Sequence, residues 1–131
     1  MRISEAARRA GVSVKAVRYY ESLGLVTTER LANGYRDYDD HQVRRIAEIR
    51  SLGRLGIVAE RSRPFLDCLD SGRSSGDDCP ASLDTYRSAI DDMERRLLEL
   101  AERRDALVER LAVASARNPP RCLFTATEES P

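Results

Sequence analysis

The chain lacks the features that would place it in several large protein classes. No apolar run approaches the roughly eighteen residues that a membrane-crossing helix needs, and no signal-peptide pattern opens it. A soluble cytoplasmic protein with no membrane partner is therefore expected. The single histidine, His41, stands apart from the three cysteines, and no Cys-x-x-Cys spacing occurs, so there is no single-chain zinc motif. His41 falls among acids in the first turn of an expected helix and reads as a surface residue. No thiol lies beside a candidate base, which argues against a cysteine-dependent enzyme, and no catalytic residue is expected. Three cysteines in an intracellular chain also argue against a structural disulfide framework. Lysine is nearly missing: Lys15 is the only one among 22 cations.

The cations and anions that are present are unevenly spread. Net charge is zero, yet residues 1–63 hold thirteen Arg and Lys against eight Asp and Glu, and residues 64–131 hold nine against fourteen. A basic first half and an acidic second half confine any nucleic acid to one end of the protein.

The basic end carries a recognisable pattern. Ile3, Ala6, Ala7 and Ala10 recur at helical spacing over Ser4 to Ala10, and Gly11 stops that helix. Ser13 offers an N-cap oxygen to a second helix, Val14 to Ser22, closed by Gly24. The short connection is that of a helix-turn-helix. Lys15, Arg18, Tyr19 and Ser22 share one face of the second helix, which suits phosphate contact and base-edge reading. Val14 and Val17 turn inward. Leu25–Thr28 and Tyr35–Tyr38 then read as two strands joined through Asn33-Gly34, a hairpin signal because both residues tolerate positive φ. Arg30, Arg36 and Tyr38 are the expected phosphate ligands of this wing. Tyr20 and Tyr35 read as packing residues that also touch the backbone.

The run Val12-Ser13-Val14, Val17-Arg18-Tyr19-Tyr20-Glu21, Gly24-Leu25, Asn33-Gly34-Tyr35-Arg36 and Tyr38 resembles the MerR family of bacterial transcription regulators. The strong motifs lie in the first forty residues, and a weaker likeness runs through Leu55-Gly56 to Phe65-Leu66. The resemblance implies a mainly α protein: a winged helix-turn-helix head, linker helices and a long C-terminal helix pairing antiparallel in a homodimer. It also implies binding of double-stranded promoter DNA with an overlong spacer, which the activated dimer bends and untwists so that RNA polymerase meets both promoter elements in phase. An effector-independent architectural or excisionase-like DNA-binding protein is the alternative, and a coiled-coil adaptor binding protein through its head is a third reading.

The expected organisation is a winged head at 1–38, linker helices at 39–69, a loop at 70–82, a dimerisation helix at 83–116 and a tail at 117–131. Asp39 and Gln42 form a capping-box-like pair opening a helix from about Asp40 to Leu55, with Gly53 and Gly56 breaking or ending it. Arg44, Arg45 and Arg54 are expected to remain free on that helix. Val58 to Leu69 reads as a shorter helix in which Pro64 is comfortable only in a first turn, so it either begins near Ser62 or is kinked. Ser62 stands where family members carry an apolar residue.

Leu83, Tyr86, Ile90, Met93, Leu97, Leu100, Arg104, Leu107, Leu111 and Ala114 alternate at spacings of three and four, a heptad seam broken at Arg104. A helix of that span is a rod of about 50 Å, too long to bury its seam in so small a domain, so it calls for a second copy of itself. With the antiparallel pairing that the resemblance implies, residue 79 lies opposite residue 118 of the other chain. Cys79 and Cys122 from different chains then approach each other, with Cys68 near the same corner.

That arrangement resembles the metal- and redox-responsive members of the family, in which a cysteine at the start of the dimer helix joins ligands from the partner's C-terminal loop. The implied effectors are soft or borderline ions, Hg, Cu, Cd or Zn, or a redox or electrophile signal. Those members carry two loop cysteines where this chain has Cys122 alone, so three thiolates would suit Hg(II) and leave Zn(II) a ligand short. Buried, inert thiols are the alternative. With only about fifteen residues after the long helix, no appended drug-binding domain is expected.

Overall fold

The computed structural model describes residues 1–119, and every structural statement below concerns those residues. It is mainly helical, with one two-stranded sheet. In chain order the elements are α1 (Ile3–Ala10), α2 (Val14–Ser22), β1 (Glu29–Arg30), β2 (Arg36–Asp37), α3 (Asp40–Arg54), a 3₁₀ turn (Ala59–Arg61), α4 (Arg63–Asp70) and α5 (Pro80–Arg117). Residues Met1–Ile90 form one compact unit, and α5 beyond Ile90 belongs to a second.

The two head helices follow from their caps. Gly11 takes φ 78° and its N–H reaches the carbonyls of Ala7 and Arg8, closing α1 in the left-handed conformation that glycine adopts without penalty. The Ser13 hydroxyl accepts from the Ala16 N–H at 3.1 Å and opens α2. Ala6, Ala7 and Ala10 form a buried face of small side chains on α1, and Val17 of α2, Ile46 and Ile49 of α3 and Leu66 of α4 fill the core around it.

The wing is shorter than expected. Only Glu29–Arg30 and Arg36–Asp37 pair, with Glu29 opposite Asp37 and Arg30 opposite Arg36. Leu25 and Val26, expected in the first strand, are instead adjacent buried core residues. Two consecutive residues pointing inward cannot belong to a surface hairpin, whose side chains alternate. The turn also differs: Gly34 takes φ 86°, and no other residue between the strands has positive φ. Leu31 N–H donates to the Tyr35 carbonyl, Gly34 N–H to the Leu31 carbonyl, and the Asn33 carboxamide oxygen accepts from Tyr35 N–H. This is a three-residue loop with the left-handed position at glycine alone.

In the linker, the Asp39 carboxylate accepts from Gln42 N–H at 2.8 Å and starts α3, which runs through Gly53 to Arg54. Gly56, at φ 87°, follows its end. Pro64 sits in the first turn of α4, which begins after Ser62 rather than kinking. Ser62 is fully buried, and its hydroxyl donates to the Ala59 carbonyl at 2.7 Å, so a polar residue occupies that apolar setting without an unmet hydrogen bond. A second cluster gathers Leu52, Ile57, Phe65 and Ala89, with the Phe65 and Tyr86 rings 5.1 Å apart, and fixes the first turns of α5 against α3 and α4.

Arg45 is not free. It is 8% exposed, and its guanidinium donates to the Leu25 carbonyl at 2.6 and 3.1 Å and to an Asp70 carboxylate oxygen at 2.6 Å, with the Leu66 carbonyl at 3.5 Å. The other Asp70 oxygen meets His41 Nε2 at 2.7 Å. Burial alone would raise the Asp70 pKa, but His41 and Arg45 outweigh it and hold the carboxyl below its usual range. Arg44 donates to the Ser74 carbonyl, and Arg54 is exposed.

Replacing Arg45 by Met keeps the apolar stem but leaves Leu25 and Leu66 carbonyls and the Asp70 carboxylate without their donor. Urea unfolding of Arg45→Met should show a loss of about 2–4 kcal/mol; a change below about 0.5 kcal/mol would refute this account.

Candidate nucleic-acid interface and cysteine corner

The α2 face expected from the sequence is present: Lys15, Arg18, Tyr19 and Ser22 are exposed while Val17 is fully buried. Tyr20 is half-buried against the core, in keeping with a packing role. Between α2 and the wing lies an open groove of about 800 Å³, whose lining includes Arg2, Arg18, Glu21, Ser22, Tyr35 and Arg36. Three guanidinium groups thus face one concavity flanked by a helix and a hairpin, a surface suited to a polyanion.

Glu21 holds the two sides of that groove together. One of its carboxylate oxygens accepts from Arg36 at 2.7 Å and from the Tyr38 hydroxyl at 2.9 Å. Tyr38, expected to reach phosphate, is 1% exposed and belongs to the core, because its ring packs inward while its hydroxyl is consumed by Glu21. Arg36 and Arg30 remain exposed; Arg30 donates to the Gly34 carbonyl across the hairpin. Tyr19 is exposed, but its hydroxyl donates to Glu60 of the 3₁₀ turn at 2.8 Å; that bond, with a smaller burial effect, raises its pKa.

Two features escaped the sequence. Tyr35, read as a packing residue, is half-exposed and carries the Arg2 guanidinium 4.1 Å above its ring. Arg2 precedes the first helix and has no place in any periodic pattern, so only the tertiary approach of the wing reveals it. Glu21 was visible as part of the motif but not as a tie between α2 and the wing.

The cysteines depart further from expectation. Cys68, near the end of α4, and Cys79, just before α5, are disulfide-bonded within one chain, their Cα atoms 5.9 Å apart. The bond differs from the cross-subunit Cys79–Cys122 approach expected above and is a single pair, not the structural disulfide framework argued against. The loop between them is tied to α3 by Arg44, which donates to the Ser74 carbonyl, and to α5, where Ser82 Oγ donates to the Gly76 carbonyl at 2.6 Å and Tyr86 donates to Asp77 at 3.0 Å. A Cβ on Gly76 would stand 2.7 Å from a Glu48 carboxylate oxygen and 3.1 Å from the Phe65 carbonyl, so any larger residue would have to displace the Glu48 side chain and press on the α4 backbone. Burial first, and Asp77 second, push the Glu48 carboxyl above its usual range. Cys122 lies outside the described residues. Among those described, no group of three His, Cys, Asp or Glu converges to hold an ion, and no helix is long and apolar enough to cross a membrane.

A helix-turn-helix, a hairpin wing sharing a groove with its second helix, and a long terminal helix define a winged helix-turn-helix transcription regulator. Residues 1–66 match the family model described as MerR HTH family regulatory protein, and the chain belongs to that family. It is 32% identical over 123 residues to the transcriptional regulator HmrR of Rhizobium leguminosarum bv. viciae, covering 93% of this chain and 92% of that protein. It is 33% identical to heavy metal-dependent transcription regulator 2 of Rhizobium meliloti, covering 89% and 90% of the two chains. The crystal structure of the transcription regulator PbrR691 from Ralstonia metallidurans in complex with lead(II) aligns with a TM-score of 0.70 at 26% identity, covering 83% of each chain.

The Tyr38 hydroxyl pKa is pushed up to about 12, by burial first and by the bond to Glu21 second. The folded state therefore keeps a proton that an unfolded tyrosine loses near pH 10. This contribution is complete below that pH and vanishes as pH rises to about 12. Between about pH 9 and about pH 11.5 the wild type should lose on the order of 2 kcal/mol more stability than Tyr38→Phe, by urea unfolding; parallel pH curves would refute the assignment.

Proposed function

We propose that this protein is a homodimeric promoter-binding regulator that distorts a promoter with an overlong spacer and responds to a thiol-directed signal at its cysteine corner. The observation that carries the reading is the arginine-lined groove between α2 and the wing. Lys15, Arg18 and Arg36, with Arg30 on the wing, supply phosphate contacts, and Arg18 and Ser22 face outward from the recognition helix toward base edges. Tyr19 reaches phosphate only by leaving Glu60, since one hydroxyl donates one hydrogen bond.

The dimer reading is supported by α5. Leu97, Leu100, Leu107 and Leu111 are each more than half exposed in the single chain, all on the heptad seam. An apolar stripe of that length calls for a partner helix, and a second copy at residues 83–116, antiparallel, supplies one. Two heads then meet two half-sites on one face of the duplex, and the deformation energy comes from backbone contacts at both wings. RNA polymerase is the partner that reads the distorted promoter, in the bacterial cytoplasm.

For the signal, relatives named for heavy-metal dependence and a lead(II) complex point to a soft ion. When reduced, Cys68 and Cys79 would furnish two neighbouring thiolates, which suit Hg(II) or Cu(I). A third sulfur requires Cys122, and the described residues do not complete a four-ligand zinc site. Bound there, the ion supplies only a cross-link between α4 and α5.

Arg18→Ala should weaken binding to a duplex of the gene's own upstream region by about tenfold or more while sedimentation still shows a dimer; unchanged affinity refutes the α2 assignment. Leu107→Glu should give a monomer with DNA binding reduced at least as much, and a persisting dimer would refute the seam. Native mass spectrometry of the reduced protein with Hg(II), Cu(I) and Zn(II) in turn tests the signal. Uptake lost in Cys79→Ser supports a metal sensor, whereas a dimer that takes up none of the three argues against one.

A further inference from the structure

We infer that Cys68 and Cys79 are a reversible dithiol–disulfide latch that fixes the α4–α5 junction and, through Arg45, the segment joining the recognition helix to the wing. The inference rests on the regulator reading for its consequence but not for its chemistry. Three observations support it. The two sulfurs are bonded within one chain, across a loop that packs on α3. Their exposure is unequal: Cys68 is 2% exposed and Cys79 is partly exposed. Lastly, the α4 groups that hold Arg45, the Leu66 carbonyl and the Asp70 carboxylate, flank Cys68 on either side in sequence.

The unequal exposure assigns the order of events. Cys79 immediately precedes the 38-residue α5, where its carbonyl accepts from the Ser82 and Leu83 N–H groups, and its sulfur is the more accessible of the two to a dissolved reactant. The co-reactant is a low-molecular-weight disulfide, RSSR. The Cys79 thiolate attacks one of its sulfurs, the S–S bond of RSSR breaks, and the first RS⁻ leaves. Cys68, deprotonated, then attacks the Cys79 sulfur of the mixed disulfide; the Cys68–Cys79 bond forms and the second RS⁻ leaves. The two protons lost by the protein thiols end on the two RSH products, and two electrons pass from the protein to RSSR. Excess RSH reverses both steps.

Closure has a route to the head. Ser74, Gly76 and Asp77, inside the loop that the bond closes, are held to Arg44, Ser82 and Tyr86. Cys68 lies in the turn of α4 between the two groups that bind Arg45, and Arg45 also donates twice to the Leu25 carbonyl. Leu25 and Val26 lead directly from α2 into the wing and are buried in the head core. A change in the rigidity of the α4 end therefore reaches the segment that sets the wing relative to α2.

The test uses the full chain without DNA, equilibrated in oxidised or reduced glutathione. Peptide mapping by mass spectrometry should find the Cys68–Cys79 linkage in the first buffer and its loss in the second. Hydrogen exchange of peptides spanning 63–79 and 25–38 should slow about tenfold on oxidation, and neither should respond in Cys79→Ser. Cys68 is buried, so the partly exposed Cys79 is the variant of choice. Linkage to Cys122, linkage between chains, or no linkage overturns the latch, and a linkage that slows 63–79 but leaves 25–38 unchanged overturns the coupling to the head. Failure to bind promoter DNA leaves these readouts unaffected, and failure of the latch leaves the Arg18 experiment unaffected, so the two readings fail separately.

Discussion

A guanidinium can be taken out of water only where oxygen acceptors replace the water it loses, and Arg45 finds three such acceptors on two segments distant in the chain. The Leu25 carbonyl comes from the connection between α2 and the wing, the Leu66 carbonyl from the middle of α4, and the Asp70 carboxylate from its end. None of the three can shift far without leaving a buried donor or acceptor unpaired. The linker helices are thereby part of the same compact unit as the head, and α4 is held in one rotational setting. Phe65 then meets Tyr86, and the start of α5 is placed against the same helices.

The groove between α2 and the wing is built on similar logic but nearer the surface. Glu21, on the recognition helix, has one carboxylate oxygen shared by Arg36 and Tyr38 of the hairpin. Its negative charge, which would oppose a phosphate, is offset by Arg36, so the groove keeps a positive character from Arg2 and Arg18. The hairpin itself has only two paired residues on each side, which alone would not be stable. Its position comes from the Glu21 bonds, from Tyr38 in the core and from the Arg2–Tyr35 stack.

Much of this was legible in the sequence where local chemistry decides. Ser13, Asp39, Gly11 and Pro64 act at helix ends through their own backbone neighbours, and the expected boundaries of α2 and α3 agree with the structure to within a residue. The exposed seam of α5 follows from spacing alone. Failures came where distant segments meet. Arg45 reads as a surface cation because nothing local shows that Leu25, Leu66 and Asp70 surround it. Tyr38 carries the same letter whether its ring lies in the core or at the surface. Leu25 and Val26 looked like a strand because short apolar runs fit several buried conformations. The Cys68–Cys79 bond depends on the path of a Gly- and Ser-rich loop, which the composition marks as a loop without giving its course.

Glu21 has a further consequence for how such a protein can change over time. Along α2, the outward residues Lys15, Arg18 and Ser22 are free of the hairpin's hydrogen bonds, whereas Glu21, one step round the same helix, is committed to two of them. Substitutions at the outward positions leave the hydrogen bonds that hold the wing intact. A substitution at Glu21 moves the wing whatever operator is sought. On the proposed reading, α2 therefore carries variable positions beside a fixed hinge pin, and new DNA specificities would be reached through the former.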